Sequence, residues 1–378
     1  MSEDKLKVLM LESGGWGGIH YYAHALCDAL ADVPVNLLLL TNEQYELADQ
    51  PQRFRRLQVL KRESYLRTVV KFVRLLLREK PDLLHVQSLI SQRKDLLLLL
   101  LCRLLNVRVV LTVHNILPHE VRQLERLLYA SYYRLSDALI LHSGRNRSRL
   151  LEEVPDLDQR RVRIIPHGNY AAFSKLELSR AQAREQLGLP ADRRIALFFG
   201  SIRPYKGLDL LLQTIKPVRA ACGAAFFAVA GNVMRGEQTE YERQIDELGI
   251  STEDLNIRFD YLSMADSVAY VCAADLVVLP YREIYQSGVL LFAFSFGRPV
   301  LCTRVGSFLE TVEQGRNGWL VEKEDVEGLQ QRLIELLQNP AQLDRAGTYA
   351  RQQAEQCYHW QGIAHQTAQL YAEVERGT

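Results

Sequence analysis

At 378 residues the chain is longer than one ordinary α/β core and suits two domains, and its 48% apolar and 24% charged residues exclude a disordered or fibrous protein. The net charge of +1 hides an asymmetry, since residues 1–170 hold 25 Lys and Arg against 19 Asp and Glu, whereas residues 171–378 hold 21 against 26. The basic first half therefore suits an anionic partner, such as a membrane surface or a phosphorylated acceptor, but no region is basic enough for nucleic acid. The six cysteines are scattered without a CxxC pair, which points to free thiols in a reducing compartment rather than disulfides or zinc. No leader peptide is visible and the longest apolar run, Leu96 to Leu105, is too short to span a bilayer. The expected location is the cytoplasm, with peripheral contact at the inner face of an anionic membrane.

In chain order, strand-like runs at Leu6 to Leu11, Val35 to Leu40, Leu83 to Val86, Val107 to Thr112, Ala138 to Leu141 and Val162 to Ile165 alternate with helical stretches at Tyr21 to Leu30, Leu66 to Glu79, Leu96 to Leu105 and Val121 to Leu135. Arg53 to Lys80, rich in Arg and Lys with apolar residues between them, reads as a helix with a basic face suited to anionic lipid or a lipid diphosphate. A polar stretch from Asn169 to Arg193 reads as a linker. A second series follows, with strands at Ile195 to Phe199, Ala225 to Ala230, Ile257 to Phe259, Leu276 to Leu279 and Pro299 to Cys302. Three helices close the chain, near Val326 to Leu337, Ala341 to Glu355 and Gly362 to Glu375. Alternating strands and helices imply parallel sheets covered on both faces, hence α/β architecture with two Rossmann-like doubly wound domains, residues 1–170 and 171–357, facing each other across a cleft.

Three strand-to-helix joints carry the chemistry. Glu12-Ser13-Gly14-Gly15-Trp16-Gly17-Gly18 follows the first strand, and its glycines let backbone amides approach an anion at a helix start, although a dinucleotide GxGxxG spacing is missing. Phe199-Gly200-Ser201-Ile202-Arg203-Pro204-Tyr205-Lys206-Gly207 places Lys206 in the first turn of the helix that follows. A cation there opposes the helix dipole unless an anion binds, so Lys206 and Arg203 are read as partners of a diphosphate. The third joint, Arg282-Glu283-Ile284-Tyr285-Gln286-Ser287-Gly288-Val289, offers Ser287 as N-cap and the amides of Gly288, Val289 and Leu290 to the same ligand.

In this order these pieces resemble the retaining glycosyltransferases of family 4, of the two-domain GT-B fold. The resemblance also rests on Thr112-Val113-His114-Asn115, Ile165-Pro166-His167-Gly168, Gly297-Arg298-Pro299-Val300, Val305 to Val312, and Gly315, Gly318 and Leu320-Val321. It implies transfer of a hexosyl group from a UDP- or GDP-sugar to a glycan or lipid-linked acceptor, as in polysaccharide biosynthesis, with no metal or resident cofactor. The second domain would hold the donor and the first the acceptor, and the last helix, about 358–378, would pack back on the first domain. His114 matches the histidine near the reacting sugar and Lys206 the lysine on the diphosphate; the implied donor contacts are Gly15, Gly17, Arg203, Lys206, Gln286, Ser287, Gly288 and Val289. The family's paired glutamates fall at Ile284 and Phe292, and Glu283 could serve for the first with a one-residue shift. A nucleotide-sugar 2-epimerase and a non-catalytic partner subunit are the alternatives.

Other signals are weaker. Asp156-Leu157-Asp158 has a metal-like spacing beside two arginines and is read as a surface loop. His20 and His24, at i and i+4, are read as a helix face lining the crevice. His119, His142 and His167, near strand ends, are candidates for acceptor contact.

Overall fold

A computed structural model describes residues 5–60, 65–89, 95–117, 123–233 and 236–377; His119 lies outside them. Contacts divide the chain into two units, Met1–Gly168 with Tyr358–Thr378, and Asn169–Cys357.

The first unit runs β1 (Leu6–Leu11), α1 (Gly17–Leu30), β2 (Val35–Asn42), β3 (Arg55–Leu60), α2 (Tyr65–Glu79), β4 (Leu83–Val86), α3 (Leu96–Leu104), β5 (Arg108–Thr112), α4 (Gln123–Leu135), β6 (Ala138–Leu141), α5 (Gly144–Glu153) and β7 (Val162–Ile164). Its sheet is parallel, in the order β3-β2-β1-β4-β5-β6-β7. The central strands β4 and β6 are buried throughout, and apolar but for His85, because both of their faces are covered. The Arg53 to Lys80 segment is not one helix. Its first part is the edge strand β3, half-exposed and carrying Arg55 and Arg56, and among the described residues the helix is Tyr65–Glu79.

Crossover handedness assigns the helices to faces. The connections β3 to β4, β4 to β5 and β5 to β6 all step the same way across the sheet, so right-handed crossovers place α2, α3 and α4 on one face. The β1 to β2 step runs the other way and places α1 on the opposite face.

The second unit runs α6 (Arg180–Leu187), β8 (Arg194–Phe199), α7 (Leu208–Ala221), β9 (Ala225–Ala230), α8 (Glu237–Glu247), β10 (Leu255–Arg258), α9 (Met264–Ala273), β11 (Leu276–Leu279), α10 (Gly288–Ser295), β12 (Val300–Thr303), α11 (Phe308–Thr311), β13 (Gly318–Val321), α12 (Val326–Leu337) and α13 (Pro340–Cys357). Its sheet has the order β10-β9-β8-β11-β12-β13, a parallel doubly wound sheet in the Rossmann sequence. The polar stretch from Asn169 to Arg193 is structured rather than a simple linker. α6 begins with a reciprocal Ser179–Gln182 capping box and packs on α9. Its Arg184 is buried, paired with Asp275 at 2.7 Å and donating to the carbonyls of Ala273, Ala191 and Arg193.

The last helix, α14 (Trp360–Arg376), packs on α1 and touches β5 of the first unit. The Trp360 indole lies where a side chain on Gly168 would stand, since a Cβ there would be 2.2 Å from the ring. Tyr371 reaches His85 at 2.5 Å, and Glu373 pairs with Arg163 at 3.0 Å.

Candidate functional site

In the second unit the chain leaves β8 toward β9 and leaves β11 in the opposite direction, toward β12, so the loops after β8 and β11 part at the carboxyl edge and open a crevice. Lys206 does not lie in the first turn of α7, as the sequence suggests. It ends a 3₁₀ turn, Pro204–Lys206, separated from α7 by Gly207 in the left-handed conformation. Only glycine suits that joint: φ is +69°, and a Cβ would come within 2.1 Å of the Pro280 carbonyl. Arg282 ties the two loops together. Its amide donates to the Tyr205 carbonyl at 2.7 Å, its guanidinium to the Pro204 carbonyl at 2.8 Å, and it grips Asp209 at 2.9 and 2.7 Å.

This frame holds the Lys206 ammonium in the interior. The side chain is 7% exposed, lies 5.4 Å from the centre of the Tyr281 ring, and forms no salt bridge among the described residues. Burial, with a further contribution from Arg203, lowers its pKa to about 8. A desolvated cation of this kind is costly unless a ligand supplies the counter-charge. Its Nζ is 3.6 Å from where a Cβ of Gly200 would stand, and Val289 Cγ2 is 2.9 Å from that same point. Lys206 and the start of α10 thus converge on Gly200.

Ser287 caps α10, its hydroxyl accepting from the Leu290 amide at 3.3 Å. That takes one of the amides expected to face a ligand and leaves those of Gly288 and Val289 as the first N–H groups of the helix. The Tyr170 hydroxyl stands over Gly288, 2.7 Å from where its Cβ would be. Gln286 is half-buried, and its Oε1 is buried without a partner. Arg203 is half-buried at the head of the 3₁₀ turn, and the charge of Glu283 is felt at the Tyr205 hydroxyl.

Phe292, at the second glutamate position of the family, is 4% exposed. It stacks on Phe199 at 5.5 Å and meets Tyr170 and Phe296 at 5.0 Å each. Position 292 is thus part of an aromatic core and offers a ribose no hydrogen bond.

In the first unit the glycine-rich loop closes on the chain's own carboxylates. Glu12, 1% exposed, accepts from the amides of Gly14 at 2.6 Å and Gly15 at 3.0 Å, and from Thr41 Oγ1 at 3.0 Å. The Gly17 amide donates to Glu46 at 3.2 Å. The amides of Gly15 and Gly17, expected to meet an external anion, are therefore engaged. Burial alone would raise the Glu12 pKa, but His20 and the amides of Gly15 and Gly14 outweigh it and hold it below the ordinary value. His20 and His24 do not line a crevice. Both are buried, His20 bonded to Glu12 at 3.0 Å and His24 to Tyr45 at 2.7 Å. Asp156 and Asp158 pair with Arg134 and Arg160, consistent with a surface loop.

His114, at the carboxyl end of β5, belongs to a buried chain of hydrogen bonds. Its Nε2 is 3.0 Å from the Gln87 side-chain amide, whose other end is 3.1 Å from His85 Nε2. On the other side His114 Nδ1 is 3.4 Å from His142 Nε2, and His142 Nδ1 is 2.9 Å from the Ile165 carbonyl. That carbonyl can only accept, so neutral His142 carries its proton on Nδ1 and not on Nε2. The Gln87 Oε1 can likewise only accept, so neutral His114 carries its proton on Nε2 and donates it to Gln87, which leaves its Nδ1 unprotonated beside His142. Burial, then His142, His167 and His85, push the His114 pKa well below the ordinary value. His167 bonds the Gly168 carbonyl at 2.7 Å, and the Tyr22 ring lies 5.0–5.2 Å from His114, His142, His167 and Trp360. His142 and His167 are thus interior, while His114 also lines a cavity of about 190 Å³ with Ile19, Gln87, Ser88, Asn115 and Tyr129. Sequence reasoning passed over Gln87 and the role of Glu12. The signal available was a polar residue directly after the buried carboxyl end of a strand, at neighbouring strands β1 and β4 where the loops part.

Two family profiles match the chain: "Glycosyltransferase Family 4" over residues 16–169 and "Glycosyl transferases group 1" over residues 193–339. Similar curated proteins include a D-inositol 3-phosphate glycosyltransferase of Nocardioides sp., 30% identical over 229 residues, or 57% of this chain and 49% of that protein. A GDP-mannose:glycolipid 4-beta-D-mannosyltransferase of Xanthomonas campestris pv. campestris is 28% identical over 247 residues, or 62% of this chain and 60% of that protein. The chain thus spans 49% to 60% of the length of these relatives. The crystal structure of Anabaena Alr3699/HepE in complex with UDP-glucose has the same fold, with a TM-score of 0.81 at 19% identity over 97% of this chain and 100% of that one.

Proposed function

Because the chain belongs to glycosyltransferase family 4, we propose that it transfers a hexosyl group from a nucleoside-diphosphate sugar to a glycan or lipid-linked acceptor, with retention of configuration. The observation that carries this reading is the buried Lys206 ammonium, without a salt bridge among the described residues, beside the start of α10. The bond between the sugar and the diphosphate breaks, the acceptor oxygen takes its place, and the acceptor proton leaves with the diphosphate. Lys206, Arg203 and the amides of Gly288 and Val289 stabilise the negative charge that grows on the leaving group, so no divalent ion is needed for that role. The unpaired Gln286 Oε1 would accept from a donor hydroxyl, and Glu283 is the acidic group nearest in sequence to the vacant first glutamate position. On the first unit, His114 and the cavity beside it serve the acceptor and the transferred sugar. Relatives named for an inositol phosphate and for a glycolipid with GDP-mannose support an acceptor of that kind and a GDP-sugar donor, and the UDP-glucose complex of the Anabaena protein makes a UDP-sugar the other candidate.

A thermal-shift screen of UDP-, GDP- and ADP-sugars tests the donor side, since a bound donor stabilises by RT ln(1 + [L]/Kd), about 2.7 kcal/mol at a hundredfold excess over Kd. The reading predicts a shift with one nucleotide, release of the matching diphosphate with an acceptor, and the donor's anomeric configuration in the product. No shift with any nucleotide sugar refutes it.

A further inference from the structure

The helices α2, α3 and α4 share one face of the first sheet by the handedness of their crossovers, and α3 packs on α4. Their outer surface is unusually apolar. Along α2, Leu66, Val70 and Leu77 are 73%, 41% and 55% exposed, in a stripe at i, i+4 and i+11. Along α3, Leu97, Leu100 and Leu104 are 47%, 46% and 82% exposed, in a stripe at i, i+3 and i+7. On α4, Leu127 is 66% exposed. By contrast, the described residues of the whole second unit expose only Leu248 and Tyr261 among large apolar side chains. A soluble chain with no partner rarely gathers so many leucines on one face.

The charges on α2 and α3 are almost all of one sign, whereas α4 carries both Glu125 and Arg126 beside Leu127. Exposed Arg67, Lys71, Arg74 and Arg78 flank the α2 stripe and Arg103 lies on α3. The two helices carry a single carboxylate, Glu79, which pairs with Arg55 and Arg78. Leucine tips surrounded by long cationic side chains suit the boundary between headgroup and acyl chain, where the ammonium and guanidinium groups reach phosphates while the leucines enter hydrocarbon. A protein partner would be expected to meet a more mixed set of charges. No helix among the described residues is long and apolar enough to cross a membrane, so this would be contact along a surface.

We propose that the α2–α3–α4 face docks the protein on an anionic lipid surface, with the leucines of α2 and α3 inserted and the α2 arginines on lipid phosphates. This surface lies on elements other than those that hold Lys206, and the proposal is independent of the sugar-transfer reading.

The test is co-sedimentation of the full chain with vesicles of equal parts phosphatidylglycerol and phosphatidylcholine, and with vesicles of phosphatidylcholine alone. Two variants accompany it, Leu66→Ser/Leu77→Ser/Leu104→Ser and Arg67→Glu/Arg74→Glu, both at exposed positions where stability changes little. The expected result is binding to the anionic vesicles, at least roughly tenfold weaker binding to phosphatidylcholine, and a loss of roughly tenfold or more in each variant. The proposal is overturned if the wild type stays in the supernatant with anionic vesicles, or if both variants bind as the wild type does. It is equally overturned if light scattering shows a dimer that the serine variant dissolves while vesicle binding is absent.

Discussion

Replacing Lys206 by Met removes the charge and keeps much of the apolar stem, so one substitution tests two consequences of burying an ammonium. In the free protein the cation is held without a salt bridge among the described residues, and its pKa falls from 10.5 to about 8. That difference corresponds to roughly 3 kcal/mol that the native state gives up below pH 8 to keep the group charged. The sign follows from proton counts. A lysine whose folded pKa is lowered binds fewer protons in the native than in the unfolded state between pH 8 and 10.5, so stability rises with pH across that window. Lys206→Met is therefore expected to stabilise the free protein at pH 7 by up to about 3 kcal/mol, with the gain shrinking to nothing near pH 10.5. For a unit of this size that is an increase of several degrees in melting temperature, at about 2–4 °C per kcal/mol. The same change removes charge-assisted bonds to the donor diphosphate worth about 1.5–3 kcal/mol, a ten- to roughly 150-fold loss in kcat/KM. Calorimetry of the free protein at pH 7 and pH 10, with and without the donor, reads both effects. A variant that melts no higher than wild type at pH 7 and keeps its full donor-induced shift would refute the reasoning.

Acid should unfold the first unit before the second. Burial lowers the pKa of His85 and His167 to about 3 and of His142 to about 4, and burial with the charge of His20 lowers that of His24 to about 4. The native state then binds fewer protons than the unfolded state below pH 6.5, and stability falls as pH drops, by on the order of 2 kcal/mol per histidine at pH 5. Fluorescence of Trp360 should report this transition separately from Trp319 of the second unit, and a single transition below pH 4 would count against it. Phe292→Glu, which puts a glutamate at the family position, should destabilise the second unit by more than about 3 kcal/mol, because it buries an unpaired carboxylate among Phe199, Tyr170 and Phe296. Denaturant melts decide this, and a stable, more active variant would contradict the aromatic-core assignment. Glu12→Ala leaves the Gly14 and Gly15 amides, Thr41 and His20 without their acceptor and should cost about 3–5 kcal/mol. A denaturation midpoint unchanged in that variant would show that the loop is not held by this carboxylate.

The buried parallel strands were legible because runs such as Ala138–Leu141 and Leu276–Leu279 are wholly apolar between polar joints, and Leu83–Val86 is broken only by His85. The edge strand β3 was not, since Arg55, Arg56 and Gln58 on its half-exposed surface break the apolar pattern. α6 was hidden for a similar reason: its face toward α9 is small, and its key side chain is a buried arginine. Lys206 was visible as a cation at a helix start, although the turn that carries it is 3₁₀ and ends at Gly207. The glycine-rich loop misled because amides free in the sequence acquire partners only when Glu12 folds back and Glu46 arrives from beyond β2. The histidines at i and i+4 misled in the same way, their partners Glu12 and Tyr45 lying outside the helix.

The seat of α14 on Gly168 and His85 sets an order of events during synthesis. The second unit is one continuous stretch, Asn169–Cys357, and can close as soon as that stretch has left the ribosome. The first unit is translated first but lacks α14 until Trp360–Arg376 has been made, so it is completed after the second. A nascent chain halted near residue 358 should therefore bear a protease-resistant second unit and a first unit still open to cleavage beside β5, where α14 has yet to arrive.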